Sequence, residues 1–135
     1  MMVLVDTTVW IDFFSAKLKP HVKTLEKLIA DREDICLCGV ILTEILQGIR
    51  DDSEFQHTKE LLANLIFLPM RYSVYLRSAE IYRNLRRKGV TIRKSVDCMI
   101  AAVAIEHDIF LLHNDKDFHP IEIHFGLKKF GGSFH

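Results

Sequence analysis

Met2-Val3-Leu4-Val5-Asp6-Thr7-Thr8 places four apolar residues, one acid and two hydroxyls at the start of the chain. A short apolar run bounded by a polar group reads as a strand buried on both faces. The segment that follows, residues 7–14, reads as a helix with Asp6 or Thr7 at its cap. A strand running straight into a helix is the first half of a β–α–β unit, and the rest of the chain repeats it. Lys19-Pro20 interrupts the pattern, after which Val22, Leu25, Leu28 and Ile29 recur at helical spacing. Residues 35–38 form a second short strand, and Gly39 turns the chain into a helical run over 40–49. A helix starting at Asp52 or Ser53 carries Phe55, Leu61, Leu62 and Leu65. Residues 66–68 are a third strand, closed by Pro69. Ser73 caps a long helix with Val74, Leu76, Ile81, Tyr82 and Leu85 as its apolar positions and Gly89 at its end. Ser95 caps the next, over 96–107, and residues 109–112 are a fourth strand. In the tail, Ile121, Ile123 and Phe125 alternate, which suits a last edge strand, and Gly131-Gly132 reads as a loose end. Strands alternating with helices throughout predict an α/β fold: a three-layer α/β/α sandwich with a mainly parallel central sheet, as one domain over residues 1–135.

Composition bounds the function. The 135 residues carry 18 Lys plus Arg against 18 Asp plus Glu, so the chain is formally neutral. That argues against a broadly basic coat for DNA and leaves room for a local basic patch. With 49% hydrophobic and 27% charged residues, a packed core is expected and disorder is not. No apolar run approaches the roughly 20 residues of a membrane span. The first residues have no basic region and meet an acid at Asp6, so they do not read as a signal peptide. Cys36, Cys38 and Cys98 are an odd set, best read as buried apolar thiols in a reducing cytoplasm. The seven histidines, His21, His57, His107, His113, His119, His124 and His135, show no i, i+4 metal spacing on an obvious helix.

In open parallel sheets, ligands bind outside the carboxyl ends of the strands. Asp6 follows the first strand and Glu44 lies in the helix after the second. Asp97 lies at the start of the helix before the fourth strand, and Asp115 and Asp117 follow that strand. Four or five carboxylates at one rim repel one another unless a cation joins them. An all-oxygen set suits Mg2+ or Mn2+ rather than zinc. Each acid also has a purely structural reading. Asp6 could cap its helix, Asp97 could complement a helix dipole, and the loop acids could simply be solvated. Glu44 is harder to dismiss, because the apolar neighbours in Val40-Ile41-Leu42-Thr43-Glu44-Ile45-Leu46 imply partial burial and a partner.

These residues resemble the PIN-domain nucleases. Val3-Leu4-Val5-Asp6-Thr7-Thr8 through Asp12 resembles the family's opening motif, and Thr43-Glu44-Ile45-Leu46-Gln47-Gly48 its second. Ser95-Val96-Asp97-Cys98-Met99-Ile100-Ala101-Ala102 resembles the third, and Leu111-Leu112-His113-Asn114-Asp115-Lys116-Asp117-Phe118 the fourth. The set occurs in family order and spans nearly the whole chain. The short length and the second segment resemble in particular the VapC toxins of VapBC toxin–antitoxin pairs. The resemblance implies an acidic quartet of Asp6, Glu44, Asp97 and Asp115, with Asp117 as an additional acid, and RNA as substrate. His113 departs from the pattern, standing where Thr or Ser is common.

Carboxylate-held metals suit phosphodiester hydrolysis, one activating water and the other stabilising the leaving oxygen. Asp6 and Asp97 would be the central ligands, completed by Glu44 and Asp115. Thr7 and Thr8 could hydrogen-bond a phosphate or a ligand carboxylate. Arg83, Arg86, Arg87, Lys88, Arg93 and Lys94 precede Asp97 with no acid among them. They are either a solvated helix end or a phosphate-binding rim, with Arg86, Arg87 and Lys88 as the candidate contacts. A phosphatase of the Asp-x-Asp type lacks its second acid here, since Thr8 stands at that place. A receiver domain lacks its aspartate after the third strand, where Leu68-Pro69-Met70 lies. A PIN-like DNase or a noncatalytic nucleic-acid-binding module remains the alternative to a Mg2+- or Mn2+-dependent endoribonuclease toxin. Trp10, Phe13 and Phe14, with the stripe Val22, Leu25, Leu28 and Ile29, are either core or one wall of a groove for an amphipathic partner helix. The resemblance names that partner as a VapB-like antitoxin. The same apolar surplus could support a homodimer, with the helices over 73–107 contributing.

Overall fold

The computed structural model describes residues 1–131; Gly132, half of the expected loose end, and His135 lie outside the described residues. In chain order the elements are β1 (Met2–Val5), α1 (Thr7–Phe14), α2 (Pro20–Ala30), β2 (Asp34–Cys38), α3 (Gly39–Gln47), α4 (Asp52–Leu62) and β3 (Ile66–Leu68). They continue with α5 (Tyr72–Arg87), α6 (Ser95–Glu106), β4 (Phe110–Leu112), a 3-10 turn (Lys116–Phe118), α7 (His119–Phe125) and β5 (Lys128–Lys129). The strands form one sheet in the order β3-β2-β1-β4-β5, with every neighbouring pair parallel.

Successive strand residues point to opposite faces. Val3, Leu4 and Val5 nevertheless are all 0% exposed, so helices cover the sheet on both sides and the fold is the expected α/β/α sandwich. The strand order reverses between β1 and β4: the chain moves outward from β1 through β2 to β3, then crosses back to β4 on the other side. A crevice opens at such a reversal, outside the carboxyl ends of the two strands. Asp6 follows β1 directly and His113 follows β4 directly, so the topology sets these positions at the crevice.

α6 is buried almost all round, as its apolar composition requires. α5 packs along it through Val74, Ser78, Ile81 and Leu85, while Leu76, expected on the same face, is 50% exposed. Ser73 Oγ and Arg77 Nε, in the first two turns of α5, donate to Glu106 at the last turn of α6, at 3.4 and 3.5 Å. The two helices are therefore antiparallel, and Arg86, Arg87 and Lys88 at the end of α5 lie toward the start of α6, where Asp97 sits.

Several boundaries differ from the sequence reading, each for a local reason. Lys19-Pro20 starts α2 rather than breaking the pattern, because proline suits the first helical position, where its missing N–H is no loss. Ser73 and Ser95 are not caps: α5 begins one residue earlier, and Lys94 holds the cap position of α6. α4 is capped by Asp51, whose carboxylate accepts the Glu54 N–H at 2.8 Å. Residues 121–125 are helical, not an edge strand. Pro120 in the first turn and a left-handed Gly126 (φ 70°) bound α7, and the edge strand is β5 instead.

Four helices end by one device. The residue two past the end turns left-handed and donates back to the third-last carbonyl's neighbour, and the following N–H reaches one residue deeper. In α5 these bonds are Gly89 N–H to Arg86 O and Val90 N–H to Leu85 O, at 3.0 and 2.9 Å. The corresponding left-handed residues after α1, α2 and α6 are Ala16, Arg32 and Asp108.

Candidate active site

The apolar residues of β1 drive Asp6 into the protein at 3% exposure, where its N–H continues the sheet by donating to Leu112 O at 2.9 Å. Asp6 holds the cap position of α1 without a side-chain capping bond. Its carboxylate instead accepts the Thr8 hydroxyl at 2.7 Å. Burial pushes the Asp6 carboxyl above its ordinary range, and the Thr8 hydrogen bond opposes that rise. Thr7 donates to Glu44 Oε1 at 2.6 Å, so the half-buried glutamate of α3 has the partner that its apolar setting demands. Of the two expectations for these threonines, the structure displays a hydrogen bond to a carboxylate.

Asp97 is 3% exposed in the first turn of α6, and its Oδ2 is buried without a hydrogen-bond partner. Burial pushes this carboxyl up to about 7; Lys94 pulls the other way, and the charges of Asp6, Asp115 and Glu44 add to the rise. One carboxylate oxygen each from Asp97, Asp115 and Asp117 lies within 4.8 Å of the others. Among the described residues the acids that group closely are thus Asp97, Asp115 and Asp117, with Asp6 and Glu44 acting on Asp97 through charge, where the sequence reading sets Asp6 and Asp97 at the centre. A buried carboxylate oxygen left without a partner costs free energy. A hard divalent cation shared by three carboxylates would satisfy it, so the donor set fits Mg2+ or Mn2+.

The loop after β4 is held by contacts the sequence reading missed. His113 is 5% exposed and its Nδ1 accepts the Asp115 N–H at 3.2 Å. The ring proton is therefore on Nε2, which donates to Glu122 Oε2 at 2.6 Å. Burial pushes the His113 imidazole pKa down, opposed by Glu122. Asp115 Oδ1 accepts the Asp117 N–H at 2.9 Å and so shapes the 3-10 turn that carries the second acid. Glu122 escaped notice because residues 121–125 read as a strand; Pro120 two residues before it was the available signal for a helix start.

Arg93 was legible only as one of six cations, yet it alone among the residues 83–94 forms an ion pair with the acids among the described residues. Its Nε donates to Asp117 Oδ2 at 2.8 Å, and its terminal nitrogen lies 3.7 Å from Asp115 Oδ1. Arg86, Arg87 and Lys88 are exposed, with Arg86 over the Tyr82 ring at 5.6 Å. Two clefts flank the acids. Glu44 opens on one of about 510 Å3, walled by Gln47, Phe67, Met70, Tyr75 and Val96. Asp115 opens on another of about 580 Å3, walled by Arg93, Lys116, His119 and Lys129.

Trp10, Val22, Leu25 and Leu28 belong to the core, and only Ile29 of that stripe is exposed. The groove beside α1 lies against α3 and α4 instead, a cavity of about 190 Å3 lined by Ile11, Phe14, Ile45 and Ile49. No helix among the described residues is long and apolar enough to cross a membrane. The three cysteines are free and buried, and burial pushes each thiol up to about 11.

Comparison with known proteins agrees with this geometry. The PIN domain profile matches residues 3–123. The chain is 35% identical over 122 residues to the VapC ribonuclease Mb1587 of Mycobacterium bovis, covering 89% of this chain and 91% of that protein. Ribonuclease VapC11 of Mycobacterium tuberculosis matches to the same extent, 35% over 122 residues. Among solved structures, the DNA-bound VapBC of Salmonella typhimurium superposes with a TM-score of 0.75 at 19% identity, covering 96% of both chains. VapBC-1 from nontypeable Haemophilus influenzae does so at 0.70 and 22%, again over 96% of both. These two likenesses concern the fold, whereas the profile and the 35% identical relatives concern descent. With its acids gathered where the strand order reverses, this chain belongs to the PIN-domain family, alongside the VapC ribonucleases.

Proposed function

We propose that the protein is a divalent-metal-dependent endoribonuclease of the cytoplasm, acting as the toxin of a VapBC-type pair. The observation that carries the metal dependence is Asp97, whose Oδ2 is buried without a partner and whose carboxylate groups with those of Asp115 and Asp117. The ribonuclease names of the relatives carry the substrate. Mg2+, or Mn2+ in its place, would be held by Asp97, Asp115 and Asp117 with Asp6 and Glu44 completing the set. Bound there, it would lower the pKa of a water and offset charge on the phosphate oxygens.

The chain's own residues do the rest. Thr7 holds Glu44 and Thr8 holds Asp6, each through one hydrogen bond to the carboxylate. His113 fixes the backbone of Asp115. Arg86, Arg87 and Lys88, exposed at the end of α5, supply positive potential to an approaching RNA backbone. Silencing falls to a VapB-like antitoxin. An amphipathic segment fits the apolar groove of Ile11, Phe14, Ile45 and Ile49, and a basic side chain from it fits the acids. A homodimer is part of the same reading, with exposed Phe67, Tyr75 and Leu76 as apolar surface for it.

Digestion of matched single-stranded RNA and DNA, with and without Mg2+ or Mn2+, tests the reading. RNA cleavage that needs the metal and is lost in Asp97→Asn, with the circular dichroism spectrum unchanged, is the expected result. Preferential cleavage of DNA would favour the DNase alternative. Full activity in Asp97→Asn would remove the active-site assignment.

A further inference from the structure

Resting on the metal-dependent ribonuclease reading, we propose that Arg93 works in two positions. Without a cation its guanidinium pairs with Asp117 and approaches Asp115. A divalent cation takes those carboxylates and releases Arg93 into the adjoining cleft, where it binds a phosphate of single-stranded RNA next to the one being cleaved.

Three observations carry this. Arg93 already occupies the acids, through the 2.8 Å contact to Asp117 and the 3.7 Å approach to Asp115. A cation and a guanidinium compete for these carboxylates, since each neutralises the charge that attracts the other. Arg93 is also loosely held. Its side chain is 68% exposed while Asp115 and Asp117 are 18% and 13% exposed, so the arginine can swing while the acids stay in place. Lastly, a destination exists: Arg93 lines the cleft of about 580 Å3 together with Lys116 and Lys129, and the Glu122 carboxylate on its wall is already engaged by His113 and His119. That cleft shares Asp115 with the acid cluster, so a phosphate within it adjoins the metal position. Arg93 has the planar fork that grips phosphate through two donors.

The device makes cation and RNA binding mutually supportive. It also eases the repulsion between Asp115 and Asp117, because the guanidinium stays beside them until a cation arrives.

Two measurements on the full chain test the proposal. Mn2+ binding, followed by electron paramagnetic resonance of the free ion without RNA, should tighten about two- to five-fold in Arg93→Gln, the range for releasing one exposed ion pair. Lys94→Gln removes an equal charge that acts on Asp97 only through space, and should tighten binding clearly less. Equal effects of the two variants, or none from Arg93→Gln, would overturn displacement.

The second measurement is the salt dependence of binding to a phosphorothioate single-stranded RNA, read by anisotropy in the cold. With Mn2+ present, the slope of log K against log salt should shrink by about 0.7 in Arg93→Gln. Without Mn2+, wild type and variant should share one slope. A slope change equal in both conditions, or absent in both, would overturn the release step. If wild type and Asp97→Asn bind Mn2+ equally, the metal-site reading fails, and the Arg93 proposal falls with it. If wild type binds through Asp97 and only the Arg93 predictions fail, the nuclease reading stands alone.

Discussion

The hydroxyl of Thr7, at the start of α1, donates to Oε1 of Glu44 in the second turn of α3, at 2.6 Å and across 37 positions of sequence. Two helices that begin at neighbouring strand ends are thereby tied at the crevice. Thr7→Val keeps the shape and removes the donor. The expected loss is about 1–2 kcal/mol of stability, from a part-buried carboxylate left without this bond. RNA cleavage should fall by roughly tenfold, since a misoriented carboxylate costs catalysis more than folding. Thr7→Ser should restore both. Urea unfolding and initial rates check this, and a Thr7→Val variant with unchanged rate would remove Glu44 positioning from the scheme.

The raised carboxyl of Asp97 makes stability depend on pH in an unusual direction. Its ordinary value is 3.8 and its folded value about 7, so between these the unfolded chain releases the proton that the folded chain retains. Stability from this group is fully present below about pH 4 and is lost as pH rises to about 7. The loss is on the order of 2–4 kcal/mol by linkage. Metal-free wild type should therefore be less stable at pH 8 than Asp97→Asn, with the gap closing toward pH 4. Mg2+ should stabilise only the wild type. Urea midpoints across pH measure it; equal midpoints at pH 8 would count against a strained, metal-ready carboxylate.

His113 and Glu122 should behave as a unit. His113→Ala leaves Glu122 without its 2.6 Å partner and frees the Asp115 N–H. A cost of about 1–3 kcal/mol is expected, and the Glu122→Ala change should add little on top of it. Mn2+ affinity should drop in His113→Ala, because Asp115 loses its backbone anchor. Additive stability losses in the double variant would show that the two residues act separately.

The basic end of α5 should contribute through charge alone. Replacing Arg86, Arg87 and Lys88 by Ala should weaken RNA binding evenly across sequences and reduce the salt slope by up to about 2. An unreduced slope would mark the run as a solvated helix end.

Strand positions were legible because short apolar runs mark them: Met2–Val5, buried over Val3 to Val5, and the edge strand Ile66–Leu68, with Ile66 and Phe67 exposed, are found as expected. The acids were legible for the same reason, since each stands just after an apolar run or within an apolar helix. Helix starts were less so. Proline at the first turn, as at Pro20 and Pro120, reads equally as a break or a beginning until packing decides. The partners were least legible of all. Arg93 and Asp117 are 24 positions apart, and His113 meets Glu122 only because α7 is a helix. Such pairings come from tertiary closeness, which periodicity along one segment does not encode. The α1 groove faces α3 and α4 rather than α2 for a similar reason: Trp10 and Leu25 are consumed by the core.

The left-handed residues that close α1, α2 and α6 leave this fold with unused thermal headroom. Only α5 among those four helices places glycine at that turn; Ala16, Arg32 and Asp108 hold φ of 56°, 56° and 52° with a side chain attached. Each forgoes roughly 1–2 kcal/mol in the left-handed region, against about 0.5–1 that glycine would give back through its freer unfolded chain. A hardened version of the protein can therefore be built by glycine at Ala16 and Arg32, whereas at Asp108 glycine would also remove the 2.9 Å ion pair to Lys128.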